Sequence, residues 1–147
     1  MIKEFKNVKL EDLDNVAREV SDLISAFFKR QDRACVIFLN GDLGAGKTTF
    51  TKSLAKILDI SETIISPTFI LRKDYADGKL IHIDGYRFEK IEEGAALELD
   101  KELQEKNKVI LIEWPERFVS YYNLNPDISI DFKHANEEER DISVNFS

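Results

Sequence analysis

Apolar positions in this chain recur with two periods, and their order along the sequence lays out an alternation of strands and helices. Ile2 to Val8 reads as a short strand. From Glu11 to Arg30, Leu13, Val16, Ala17, Val20, Leu23, Ile24, Phe27 and Phe28 fall three and four residues apart, the stripe of a helix with one face in a core. Ala34 to Leu39 is a continuous apolar run, as expected of a strand buried on both faces of a parallel sheet. A second helical stripe follows at Phe50, Leu54, Ile57 and Leu58. Thr68 to Tyr75 and Lys79 to Asp84 flank Ala76-Asp77-Gly78 and predict a hairpin. Between Glu89 and Lys106 the pattern weakens, with Gly94 separating a turn of helix from a better one at Leu97 to Glu105. Lys108 to Trp114 holds a second continuous apolar run, Val109 to Ile112, suited to a central parallel strand. Ile128 to Phe132 and Arg140 to Phe146 alternate and predict a closing antiparallel hairpin.

Between the first buried strand and the second helix stands Gly41-Asp42-Leu43-Gly44-Ala45-Gly46-Lys47-Thr48-Thr49, which fits the phosphate-loop spacing of Gly, four residues, Gly, Lys and Ser or Thr. The chemistry explains the spacing. Glycines let consecutive backbone N–H groups turn inward around phosphate oxygens in conformations that a Cβ obstructs. Lys47 adds a point charge for the terminal phosphates, and the hydroxyl of Thr48 suits Mg²⁺. A helix beginning near Lys47 offers unpaired N–H groups and its positive dipole end to the same anion. The competing reading is a plain glycine-rich turn; strand, loop and helix in the required order weigh against it.

Composition narrows the partners. At 147 residues the chain suits one domain spanning 1–147, and a formal net charge of −7 argues against direct capture of nucleic acid, which needs clustered Lys and Arg. No apolar run approaches the ~20 residues that span a bilayer, so no membrane is expected. Met1 to Lys6 lacks the apolar centre of a secretory leader, and the single cysteine, Cys35, falls inside a predicted strand, where a buried structural thiol is expected. A cytoplasmic location follows.

A triphosphate with Mg²⁺ requires a carboxylate at a neighbouring strand end. Glu113 closes the second apolar strand, where burying an acid is costly unless a metal or hydrogen bonds compensate it. Asp84 closes the hairpin strand, and an acid that simply marks the strand end is an equal reading there. Thr68 follows Pro67 at a place where nucleotide switches often put a phosphate-sensing or metal-sensing hydroxyl, although a β-branched residue opening a strand is the default. Trp114 reads first as an aromatic anchor, and neither His82 nor His134 has zinc-ligand spacing. Tyr86, Arg87 and Arg117 could reach a phosphate, with solvated surface the default for both arginines.

Four segments, Gly41 to Thr49, Ser66-Pro67-Thr68-Phe69, His82-Ile83-Asp84-Gly85-Tyr86-Arg87 and Ile112-Glu113-Trp114-Pro115-Glu116-Arg117, stand in an order that closely resembles the TsaE (YjeE) family of tRNA threonylcarbamoyladenosine biosynthesis. The last three together are more specific than the phosphate loop, which many families share. The resemblance implies a P-loop NTPase-like three-layer α/β fold with a mixed, largely parallel central sheet and hairpin additions. It also implies Mg²⁺-dependent ATP hydrolysis that lets a complex of TsaB and TsaD turn over, with tRNA met only through that complex. Position by position, Gly41, Leu43, Gly44, Ala45, Gly46, Lys47, Thr48 and Thr49 would hold the nucleotide. Thr48 and Glu113 would hold Mg²⁺, and Asp84 would act near the γ-phosphate or its water. Thr68 and Trp114 match family positions suited to switching or partner coupling. Gly85 replaces a residue that is often bulky in the family, which predicts a looser turn, and the Glu89 to Lys106 segment matches only loosely. Arg140 and residues near the start of the first helix are guesses for the adenine pocket.

Two other functions fit a phosphate loop. A small-molecule kinase needs an acceptor pocket and a basic lid, and no arginine-rich lid segment is present. A guanine-nucleotide switch needs a base-reading aspartate; Asn107-Lys108-Val109-Ile110 lacks it, so ATP is preferred.

Overall fold

The computed structural model describes residues 1–42, 44–65, 72–86, 99–116 and 124–147. They form β1 (Ile2–Lys9), a single 3-10 turn (Leu10–Asp12), α1 (Leu13–Arg30), β2 (Cys35–Asn40) and α2 (Lys47–Ile57). Then come β3 (Arg72–Tyr75), β4 (Leu80–Asp84), a one-turn α3 (Asp100–Leu103), β5 (Val109–Glu113), β6 (Ile128–His134) and β7 (Glu139–Phe146). Expectations for Leu43, Ser66, Pro67, Thr68, Arg87, Gly94, Leu97 and Arg117 lie outside the described residues.

All seven strands join one sheet in the order β1-β7-β6-β2-β5-β4-β3. The pairings β6-β2, β2-β5 and β5-β4 are parallel, and the outer pairings are antiparallel, so five of the seven strands point the same way. That is the mixed, largely parallel sheet that the family resemblance implies, with the hairpins and the central parallel strands β2 and β5 that the hydrophobic pattern predicts. Alternation along each buried strand divides the core in two. Cys35, Ile37 and Leu39 face the layer of α1 and α2, while Val36 and Phe38 face a smaller cluster holding Leu99, Ile81, Ile83, Ile110 and Ile112, with Leu103 of α3 and Leu124 against it.

The predicted stripe of α1 is the buried one. Leu13, Val16, Ala17, Val20, Ile24 and Phe27 are buried, with Leu23 and Phe28 at the margin. Burial of each large side chain contributes about 1.5–3 kcal/mol, enough to hold an 18-residue helix whose ends lack side-chain caps. The helix begins two residues later than the sequence suggests, because Leu10–Asp12 winds as a 3-10 turn first. Burial pushes the Cys35 thiol up to about 12, so it is an inert apolar residue as expected.

The parallel register positions the site. β2, β4 and β5 end at one edge of the sheet, and their pairing places Leu39 beside Glu113 and Asp84 beside Glu113. β2 sits between β5 and β6, so the chain leaves it where the strand order reverses, the place where open α/β sheets form their ligand crevice. The segment leaving β2 there is the glycine-rich loop.

Candidate functional site

The loop owes its shape to residues that tolerate left-handed backbone. Gly44 and Gly46 have φ of 77° and 102°, and Gly46 directly precedes α2. Gly41 is constrained differently: a Cβ there would lie 2.9 Å from the carbonyl oxygen of Phe132, on β6. Gly41→Ala is therefore expected to cost about 1–3 kcal/mol through forced displacement of backbone. Gly44→Ala, where a Cβ meets nothing within 4 Å, carries only the left-handed penalty of about 1–2 kcal/mol. Urea melts of the two variants check the ordering; equal midpoints would mean that β6 does not constrain the loop.

A cleft opens above the start of α2, lined by Leu10, Gly44, Gly46, Lys47, Thr48, Thr49, Asp84, Glu113 and Trp114. The structure thus brings together most of the residues singled out in the sequence; Leu43 and Thr68 are outside the described set, Ala45 is buried, and Gly41 does not line the cleft. Lys47 is only 5% exposed. Its Nζ donates to the carbonyl oxygen of Gly41 at 2.6 Å and lies 4.3 Å from the centre of the Trp114 ring. Burial lowers the Lys47 pKa below the ordinary lysine value, while Glu113, Asp84, Glu116 and Asp42 pull it back.

Trp114 adopts φ of 53°, a left-handed conformation that is uncommon for a bulky residue and costs about 1–3 kcal/mol. Its ring packs on Tyr86, 5.0 Å between centroids, and caps Lys47. The turn after Asp84 is tight, not loosened by Gly85. Gly85 N–H donates to the Glu113 carbonyl at 2.8 Å, and a Cβ on Gly85 would come within 2.6 Å of the Trp114 carbonyl oxygen. The missing side chain lets two backbones close on each other. Asp84 accepts from the Tyr86 N–H at 2.9 Å within this turn.

Three residues take places that the sequence alone does not fix. His82, fully buried on β4, meets Glu113 with Nε2 at 2.6 Å from Oε2. The signal was the strand period: His82 lies two residues before Asp84 and so shares its face. Arg140 does not line the cleft; its Nη2 donates to the Gly44 carbonyl and its Nη1 to the carbonyls of Asn136, Glu137 and Glu139, tying the loop to the closing hairpin. Leu10, 39% exposed, is the apolar rim beside Gly46.

The donor set suits a hard cation. Thr48, Asp84 and Glu113 present oxygen to one cleft, and Mg²⁺ is typically held by one or two carboxylates plus phosphates and waters. Among the described residues, no group of three or more His, Cys, Asp or Glu is placed to hold a metal by itself.

Fold and site together define a small mixed α/β protein with a polar, oxygen-lined cleft fed by a glycine loop and a helix start. A model of the family described as threonylcarbamoyl adenosine biosynthesis protein TsaE matches residues 10–142, and the chain belongs to that family. The tRNA threonylcarbamoyladenosine biosynthesis protein TsaE of Bacillus subtilis is 39% identical over 128 residues, covering 86% of this chain and 77% of its own length. Its counterpart in Aquifex aeolicus is 32% identical, covering 98% and 96%. The crystal structure of Bacillus subtilis YdiB superposes with a TM-score of 0.70 at 30% identity, covering 98% of this chain and 84% of that one. No helix among the described residues is long and apolar enough to cross a membrane.

Proposed function

We propose that this chain is a P-loop ATPase, Mg²⁺-dependent and cytoplasmic, that serves tRNA threonylcarbamoyladenosine biosynthesis by driving turnover of a TsaB–TsaD complex. One observation carries the reading: Gly44, Gly46 and Lys47 of the glycine-rich loop and the residues Asp84 and Glu113 line one cleft at the carboxyl ends of parallel strands. Family membership supplies the pathway.

In this reading the loop amides and the N-terminus of α2 cradle the phosphates, and Lys47 leaves the Gly41 carbonyl to neutralise the terminal ones. Thr48 and Glu113 would hold Mg²⁺, which when bound spreads the charge of the phosphate oxygens. Asp84, fixed by the Tyr86 N–H, orients the attacking water. Catalysis is then positioning and electrostatics, and activity is expected to be weak until TsaB and TsaD complete the site. With a net charge of −7, contact with tRNA runs through those partners.

Nucleotide-dependent melting tests the reading. A ligand at ~100-fold its Kd contributes about 2.7 kcal/mol. In a domain of this size that raises Tm by about 5–10 °C. ATP or ADP with Mg²⁺ is expected to give this shift and GTP much less. Equal stabilisation by GTP would favour a guanine-nucleotide switch, and no shift with any nucleotide at millimolar concentration would overturn nucleotide binding.

A further inference from the structure

We propose that His82 is the positioning residue for Glu113: it holds one carboxylate oxygen by a buried hydrogen bond so that the other is presented to the cation of the cleft. The inference rests on the reading of Glu113 as a Mg²⁺ ligand and assigns a second residue to that site.

The geometry is specific. β4 and β5 are parallel neighbours, and in their register Asp84 stands beside Glu113, while His82 stands beside Leu111 one pleat lower on the same face. Adjacent strands lie about 4.8 Å apart, so two carboxylates at the rim crowd each other, and a flexible glutamate left alone would rotate away. His82 opposes that rotation. Its Nε2 lies 2.6 Å from Glu113 Oε2, and the imidazole is fully buried, so the anchor is shielded from water. Nδ1 of the same ring is buried and has no partner among the described residues. With nothing there to accept a hydrogen, the ring hydrogen belongs on Nε2, and the bond runs from imidazole donor to carboxylate acceptor. A histidine placed only to fill space would not need a polar ring at a position that leaves one nitrogen orphaned; an aliphatic residue would fit without that cost. What the ring supplies is a rigid donor aimed at Oε2. Such outer partners of metal-ligating carboxylates typically change metal affinity or activity 10–100-fold when removed.

The test compares His82→Leu, which keeps bulk and removes the donor, with His82→Gln, whose side-chain amide places a donor near the Nε2 position. Mn²⁺ affinity of the ADP complex is read by electron paramagnetic resonance, and ADP affinity without metal by calorimetry. The expected result is a loss of Mn²⁺ affinity of about 10-fold or more in His82→Leu, substantial recovery in His82→Gln, and metal-free ADP affinity unchanged in both. Mn²⁺ affinity in His82→Leu equal to wild type, or the same loss in both variants, would overturn the positioning role. A wild-type protein that binds ADP but shows no Mn²⁺ site would instead overturn the assignment of Glu113, and one that binds no ADP would overturn the proposed function itself. If His82→Leu fails to fold, His82→Gln decides: near-native Mn²⁺ affinity supports the role, and loss of affinity in a folded His82→Gln overturns it.

Discussion

Replacing Lys47 by Met is expected to abolish both the nucleotide-induced melting shift and hydrolysis in the presence of TsaB and TsaD, while leaving the fold intact. The expectation follows from where the ammonium sits. Lys47 is buried at the start of α2 in the lining of the cleft, with Nζ on the Gly41 carbonyl and under the Trp114 ring. Hydrogen bonds from a charged group are worth about 1.5–3 kcal/mol each, and Lys47 can donate more than one to a polyphosphate. Loss of two such bonds weakens binding by about 100-fold or more. Methionine is the sharper variant because it keeps the apolar stem that packs in the loop; alanine would also leave a cavity and confound binding with stability. Calorimetric titration with Mg²⁺ and ADP is the direct measurement. Binding within a few-fold of wild type would remove Lys47 from the phosphate site, and the proposed function with it.

Glu113→Gln is expected to lower the partner-stimulated turnover by about 100-fold or more, with nucleotide binding in the absence of metal unchanged. Glutamine retains an oxygen that can accept from His82, so the buried contact survives and only the charge is lost. Glu113→Ala removes both. It leaves the His82 donor unsatisfied in a buried site, and an additional destabilisation of about 1–3 kcal/mol should appear in its urea melt. Comparing the two separates the catalytic contribution of the carboxylate from its structural one. Turnover of Glu113→Gln near wild type would transfer the metal role to Asp84, its neighbour across the β4–β5 ladder.

Much of this arrangement can be read from the residues, and the reasons that some of it cannot are physical. The continuous apolar runs of β2 and β5, the stripe of α1 and the two hairpins each write a local period into the sequence. Register is different. Alternation tells which face a residue takes but not which residue stands opposite, and a one-residue slip would exchange the faces. That Asp84 stands beside Glu113 depends on the pairing of strands separated by more than twenty residues, and no local pattern encodes it. For His82 the strand period gives the face it shares with Asp84, and only the same pairing brings it to Glu113. Gly85 misleads because a glycine signals freedom when read locally, whereas here it permits a close approach between backbones. Arg140 lies far along the chain from the loop it ties down, so its partners appear only when β7 is placed beside β6 and the loop behind them. The weak pattern before Leu103 resolves, in its described part, to one turn held by Leu99 and Leu103 in the smaller core.

The ring that covers Lys47 is the single tryptophan of the sequence. Its indole emission therefore originates entirely from the mouth of the cleft, and an ammonium group so close is an effective perturber of that excited state. The protein carries an intrinsic optical probe of the surroundings of Lys47, readable in stopped flow without a dye.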